Sequence, residues 1–255
     1  MVRLKCIIHY DGSQFSGFQI QPEKRTVQGV LERALKKMHK GEEVRIQASG
    51  RTDTGVHSFG QTIHFDSPFQ IPVKNWKIAL NTLLPDDLFV QHAEIVPEGF
   101  HARYDVLEKE YRYYVWHQKE RDVFKRNYYY QFPYKLNIEA MKAACRYLEG
   151  AHDFTTFSSA KATIKGSRER TLYQASCEKR GEEIEFIFRG DGFLYNMVRI
   201  IVGVLLDIGQ GKREPADIPG LMAAKDRRLV GETVPPQGLY LWRVKYGDEN
   251  NRAAE

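Results

Sequence analysis

Twice along this chain the hydrophobic pattern switches in the same order, strand, helix, strand, strand, helix, strand, and that repeat leaves few architectures open. In the first half Val2, Leu4, Cys6 and Ile8 alternate with Arg3, Lys5 and His9, with Ile7 the exception, which predicts a strand. Thr26 is placed to cap a helix whose apolar positions Val27, Val30, Leu31, Ala34, Leu35 and Met38 keep the helical period. Val44 to Ala48 and Gln61 to Phe65 alternate again, a helix runs through Trp76, Ala79, Leu80 and Leu83, and a strand spans Leu88 to Ile95. In the second half Glu110 to Trp116 reads as a strand, and Asn137 caps a helix using Ile138, Met141, Ala144, Cys145 and Leu148. Strands follow at Thr171 to Lys179 and Glu183 to Arg189, then an apolar helix from Asn196 to Ile208, a short one at Ala216 to Ala224 and a closing strand from Leu239 to Tyr246. Two β-α-β-β-α-β units in tandem imply two ferredoxin-like halves, hence an α+β body with a central mixed sheet, helices packed on it and a cleft where the halves meet. The expected division is 1–105, 106–247 and a frayed tail at 248–255.

Composition narrows the class of protein. Hydrophobic residues are 42% and charged residues 28% of the 255, an ordinary globular balance. Charges at Arg3 and Lys5 interrupt the start where a signal peptide needs an apolar stretch. The longest apolar run, Ile200 to Leu206, is far short of the roughly 20 residues that span a bilayer, so the expectation is a soluble, cytoplasmic protein with no membrane partner. Cys6, Cys145 and Cys177 are an odd set with no close pair, which argues against a disulfide framework and against a cysteine metal site. The net charge of +5 is a modest excess, and its distribution says more. Lys161, Lys165, Arg168 and Arg170 form one cluster and Arg121, Lys125 and Arg126 another, both in predicted loops where they either touch phosphates or form solvated faces. Lys36, Lys37 and Lys40 complement a helix C-terminus.

Two features bear on chemistry. Gly50-Arg51-Thr52-Asp53-Thr54-Gly55-Val56-His57 is a short polar connection between two predicted strands, with glycines that permit the positive φ of a close-approach loop. Asp53 is either a turn residue bonded to its local backbone or a catalytic carboxylate on a rigid scaffold. The second feature is Arg199, set in Met197-Val198-Arg199-Ile200-Ile201-Val202-Gly203, a helix apolar on nearly every side. Such a helix is buried, and a buried guanidinium needs an anion, because an unpaired buried charge costs several kcal/mol. Asp207, eight residues on, is too far for ordinary helical pairing, and Gly203 clears space beside the arginine for another backbone or a ligand. Arg199 therefore either reaches water at the helix edge or meets a carboxylate from elsewhere; pairing with Asp53 would satisfy both features and keep the acid ionised.

On these residues the chain resembles the TruA family of tRNA pseudouridine synthases. The same family is echoed by Tyr10-Asp11-Gly12-Ser13 with Gly17-Phe18-Gln19, by Phe100-His101-Ala102-Arg103, and by Tyr111-Arg112-Tyr113. Asn196-Met197-Val198-Arg199 with Ile201-Val202-Gly203, Ala223-Ala224-Lys225-Asp226-Arg227 and Gly238-Leu239-Tyr240-Leu241 complete the set, in family order from Tyr10 to Leu241. Two positions depart from the family pattern: Thr54 stands where alanine is usual and Phe18 where tryptophan is usual. The resemblance implies the pseudouridine synthase fold and conversion of uridine to pseudouridine at positions 38, 39 and 40 of the tRNA anticodon arm. It implies no cofactor and no metal, and a homodimer that holds one tRNA across both subunits. Asp53 is then the catalytic carboxylate, either attacking the sugar or base or assisting a glycal-like intermediate, and Arg199 its ion-pair partner. Tyr111 would stack on the flipped base and take part in moving the C5 proton, unless it is simply a core aromatic of its strand. Arg51 would fill the space the base leaves, and Leu239 would pack against the base. Thr52 and His57 flank Asp53 in the RNA-binding loop, with His57 and His101 as loop-ordering residues. From the charge distribution, Lys165, Arg168 and Arg170 would be RNA contacts if their cluster touches phosphates and is not a solvated face.

Two rival readings use the same residues. Asp53-Thr54-Gly55 spells the aspartic-protease tripeptide, but that chemistry needs two carboxylates sharing a proton, and the chain carries one copy with Arg51 beside it. A catalytically silent RNA-binding protein is compatible with the repeated βαββαβ order, although no paired surface-aromatic signature of that module is evident.

Overall fold

In the computed structural model the N-terminal alternation becomes β1 (Val2–Tyr10), with Leu4, Cys6, Ile8 and Tyr10 buried on one face and Ile7 on the other. The structure describes residues 1–159 and 166–247. The chain falls into two units, one made of Met1–Leu107 with the segment from Tyr240 onward, the other of Glu108–Leu239.

In the first unit β1 lies between β3 (His57–Ser67) and β4 (Leu88–Val96), antiparallel to both. Two helices, α1 (Val27–Met38) and α2 (Val73–Leu83), contribute Val27, Val30, Leu31, Leu35, Trp76 and Leu80 to the core cluster on the Leu4, Cys6 and Ile8 face of the sheet. Thr26 does cap α1, its side-chain oxygen accepting the Gly29 N–H at 3.3 Å. The strand predicted over Val44 to Ala48 shrinks to β2 (Gln47–Ala48) on the edge of β3. The reason is Glu32 of α1. Its buried carboxylate accepts from the Ile46 amide at 3.2 Å and from Arg45 at 2.8 Å, so that part of the backbone serves a charge instead of a ladder.

The second unit has the order β5 (Val106–Trp116), β9 (Glu183–Gly190), β8 (Glu169–Arg180), β7 (Gly150–Asp153), with β6 (Tyr130–Gln131) parallel to β5 at its end. Tyr113 and Val115 share a face with their cross-strand partners Phe186 and Ile184, all fully buried. Helix α3 (Ile138–Arg146), capped by Asn137 with the Ala140 N–H at 3.1 Å, packs on β8 and on α4 (Met197–Gly209). A short α5 (Asp217–Ala224) follows. Both units are thus α+β.

One strand changes place relative to the sequence reading. β10 (Leu239–Tyr246), taken from the sequence to close the second half, runs parallel to β3 of the first unit, with Tyr240 opposite His57 and Leu241 opposite Ser58. The Ser58 hydroxyl donates to Leu241 O at 2.9 Å, and the Tyr246 hydroxyl donates to Ala102 O at 2.6 Å. Gly60 permits the approach: a Cβ there would lie 2.4 Å from the Trp242 carbonyl oxygen. No helix among the described residues is long and apolar enough to cross a membrane. Cys6, Cys145 and Cys177 are all buried and unbridged.

Candidate active site

The connection from Gly50 to Val56 joins β2 to β3; Gln61 of β3 holds its Gly50 end, and the rest is anchored by the end of β1 and the segment after it. Gly12 sits so close that a Cβ would lie 2.0 Å from the Val56 carbonyl oxygen, so only glycine fits. Its amide donates to Nδ1 of His57 at 3.0 Å. That bond makes Nδ1 the acceptor nitrogen, which fixes the neutral tautomer with its proton on Nε2 and leaves the 3.3 Å approach of Asp11 to Nδ1 as a neighbour, not a charge pair. The buried His57 ring also stacks on Tyr240 at 4.7 Å. Gly17, at a φ of +88°, presses on the other side, where a Cβ would be 3.1 Å from Thr52 O. The next amide, Phe18 N–H, donates to that same oxygen at 3.0 Å. Within the loop Val56 N–H closes back on Asp53 O at 3.2 Å, with Gly55 at a φ of +78°.

This cradle sorts the loop residues. Thr52 is buried, its hydroxyl 2.8 Å from that of Tyr10. Asp53 is half-buried between an exposed Arg51 and an exposed Thr54. Phe18 is buried against Tyr10, so its departure from the family pattern is a core substitution. The motif Phe100 to Arg103 is likewise internally ordered, with the Ala102 amide donating to Nδ1 of the buried His64 at 3.1 Å and the Arg103 amide to Nδ1 of His101 at 3.1 Å.

In the second unit, Tyr111 of β5 stands opposite Phe188 of β9, on the same face as Tyr113. Tyr113 takes the core role: it is fully buried and its hydroxyl donates to Pro235 O at 2.8 Å, with burial pushing the phenol well above its usual range. Tyr111 remains half-buried, its ring edge-on to Phe193 at 4.9 Å. Arg199 is half-buried rather than enclosed, because α4 is not apolar all round. Arg199, Gly203 and Asp207, four residues apart, form a less buried stripe, and Asp207 is engaged by Lys212 at 3.5 Å and Arg213 at 3.8 Å. Nε of Arg199 donates to Val234 O at 2.7 Å and Nη1 to the Asn196 side chain at 3.0 Å. Asn196 holds the left-handed region at a φ of +62°, a conformation asparagine tolerates better than most residues. Gly203 does clear room for a second backbone, since a Cβ there would lie 2.8 Å from Glu232 O.

Two residues of the Ala223 to Arg227 motif act as anchors, a role the sequence did not assign them. Arg227 donates to Val230 O at 2.7 Å and Gly231 O at 2.9 Å, pinning the segment that ends at Val234 and so the acceptor of Arg199. Lys225 pairs with Asp153 at 2.7 Å. Leu239 is buried next to Gly238, which lies against Tyr113 and Tyr114. Of the basic clusters, Lys161 and Lys165 lie outside the described residues, as does the tail at 248–255. Arg168 and Arg170 are half-buried, and Nη1 of Arg170 donates to Ser167 O at 3.0 Å. Lys125 is committed within the fold, 2.7 Å from Glu183 and 3.5 Å from the Trp116 ring centroid, whereas Arg121 and Arg126 are exposed.

Comparison with known proteins identifies relatives of the chain. The family model described as tRNA pseudouridine synthase matches residues 6–105 and 144–247. A tRNA pseudouridine synthase A of Oceanobacillus iheyensis is 62% identical over 98% of this chain and 99% of its own length. That of Geobacillus kaustophilus is 59% identical over 97% and 95%, and a tRNA pseudouridine synthase A 1 of Bacillus cereus 53% identical over 97% and 100%. Among solved structures, a chain from the crystal structure of a Cbf5-Nop10-Gar1 complex matches with a TM-score of 0.33 and 14% identity, over 79% of this chain and 54% of that one, too slight a likeness to carry any argument. By sequence similarity along almost its whole length, the chain belongs to the tRNA pseudouridine synthase family.

Proposed function

We propose that this enzyme converts uridine to pseudouridine at positions 38, 39 and 40 of the tRNA anticodon arm, with the Asp53 carboxylate as its reactive group. The reaction breaks the bond from ribose C1′ to uracil N1, turns the base, and joins C1′ to C5; the C5 proton leaves and N1 ends protonated. Atoms and electrons balance within the substrate, so this chemistry calls for no cofactor. Asp53 either attacks the sugar or base or assists a glycal-like intermediate. The reading rests above all on one observation: Asp53 follows Thr52 on a loop gripped by contacts only glycine permits at residues 12 and 17. Catalytic groups held to that degree are already near their working geometry.

The other roles follow the same reading. Arg199, steered by Val234 and Asn196, supplies the guanidinium that pairs with Asp53 and keeps it ionised. Tyr111, the half-buried member of the Tyr111 and Tyr113 pair, stacks on the everted uracil, and exposed Arg51 occupies the gap left in the RNA. Leu239 packs on the base. Arg168 and Arg170, with Lys165, meet phosphates. Thr52 and His57 act by holding the loop. A homodimer in the cytoplasm binds one tRNA across both subunits, and light scattering at the mass of a single chain, 29.6 kDa, would rule the dimer out. The site assignment is tested by mapping pseudouridine in anticodon-arm transcripts after incubation with the enzyme. Modification at 38 to 40 is expected, and modification confined to other positions overturns it. A silent RNA-binding protein of the same fold would leave every position unmodified.

A further inference from the structure

Beneath the Asp53 loop lie two polar side chains in places where the core asks only for apolar bulk. Gln61 is 0% exposed and stands opposite Ile8 on the helix-covered face of the sheet. Tyr10 is 4% exposed, its ring against Phe15 and Phe18. Leucine or methionine would fill the first position and phenylalanine the second, without the cost of desolvating an amide or a hydroxyl. Both polar groups are spent on the strand-to-loop limb that leads into Asp53. Gln61 Nε2 donates to Gly50 O at 2.8 Å, and its Oε1 accepts from the Ser49 hydroxyl at 2.6 Å. The Tyr10 hydroxyl is 2.8 Å from Thr52 Oγ1. With Phe18 N–H on Thr52 O, the four residues before Asp53 are tied at Ser49, at Gly50 and twice at Thr52.

We infer that Tyr10 and Gln61 are positioning residues for the reaction, acting through Thr52 and Gly50 to set where the Asp53 carboxylate stands. The inference rests on the reading that Asp53 carries the chemistry. Neither side chain is a proton donor to substrate: Gln61 does not ionise, and burial pushes the Tyr10 phenol up to about 12. Their work is geometric. A displacement of about 1 Å at a reacting group lowers a rate roughly 100-fold, so losing one tie should show in turnover before it shows in binding. Tyr10→Phe keeps the ring and its packing and removes the oxygen that meets Thr52, which also faces Gln61 and Ser58 beneath the same loop.

The experiment measures single-turnover pseudouridine formation with enzyme in excess over tRNA, tRNA affinity, and melting temperature. It uses wild type, Tyr10→Phe, Thr52→Val, the double variant, Gln61→Met and Asp53→Asn. The expected result for Tyr10→Phe is a rate down about 10-fold or more, affinity within about threefold, and melting within roughly 5 °C of wild type. The double variant should lose less than the sum of the two single losses, because both substitutions remove the tie between Tyr10 and Thr52. Gln61→Met should lose rate in the same way and gives a second reading should Tyr10→Phe fold poorly. A Tyr10→Phe rate within twofold of wild type, a loss that tracks melting temperature, or full additivity with Thr52→Val overturns the inference while leaving Asp53 in its role. If Asp53→Asn turns over normally, the reading of Asp53 fails, and the positioning inference fails with it.

Discussion

Gly12→Ala adds one carbon and no charge, and the structure gives it a large effect. The added Cβ would fall 2.0 Å from Val56 O and 2.5 Å from Val56 C, both backbone atoms that cannot rotate aside. Ordinary carbon contacts begin near 3.5 Å, so the turn after β1 and the end of the Asp53 loop must separate by about 1.5 Å. Overpacking of this kind costs about 1–3 kcal/mol. The Gly12 amide to His57 Nδ1 bond, 3.0 Å in the native fold, is lost with it, for about 1 kcal/mol more. A total near 2–4 kcal/mol lowers the melting temperature of a chain this size by roughly 5–15 °C. Val56 is three residues from Asp53, so the same separation displaces the carboxylate, and a fall in single-turnover rate of around 100-fold is expected. Differential scanning calorimetry and a single-turnover assay at a temperature where the variant is folded measure the two effects separately. Melting within 2 °C of wild type together with a rate within twofold would mean that the loop is not gripped as described.

Arg199→Ala removes the donors to Val234 O and Asn196; a stability loss of about 1–3 kcal/mol in chemical denaturation and a rate loss of about 100-fold are expected. Arg199→Lys, which keeps the charge without the forked geometry, should recover stability more than rate. His64 gives a pH dependence. Burial first, and then the Arg3 cation, lower its pKa from 6.5 to about 4, and its Nδ1 accepts the Ala102 amide. The unfolded chain therefore takes up this proton before the folded one does. Its stability contribution is complete above pH 6.5 and declines as pH falls toward 4, by at most about 3 kcal/mol. Urea midpoints should drop over that range in wild type and less in His64→Gln; equal slopes would count against it. Affinity for tRNA should weaken steeply with salt, and Arg168→Ala or Arg170→Ala should each reduce the logarithmic salt slope by about 1, an unchanged slope removing the phosphate role.

What the sequence disclosed depended on how local the responsible physics was. The cap at Thr26, the period of α1, and the alternation of β1 and β9 are nearest-neighbour effects and were legible as written. β10 was legible as a strand but not as a member of the first unit, because its parallel pairing with His57 and Ser58 joins residues far apart in the chain. The short β6 and β7 carry no apolar alternation to detect, and Ile46 was misread because Glu32, on another element, takes its amide. For Arg199, the apolar composition of α4 concealed a stripe of lesser burial through Gly203 and Asp207, which leaves the guanidinium half-buried. Its neighbour Gly203 was informative: the space it clears is taken by the backbone at Glu232. The cradle of the Asp53 loop was visible only as glycines at 12 and 17, since no pattern in the residues ties Tyr10 to Thr52 or Gln61 to Gly50.

Release of tritium from C5-labelled uridine in tRNA reports departure of the proton at the carbon that forms the new bond. Wild-type enzyme should release label in step with pseudouridine formation. Asp53→Asn, which keeps the shape of the side chain and removes its charge, should release none above background while binding tRNA as tightly as wild type. Release by Asp53→Asn at a rate near that of wild type would contradict the account, because the reactive group would then lie elsewhere.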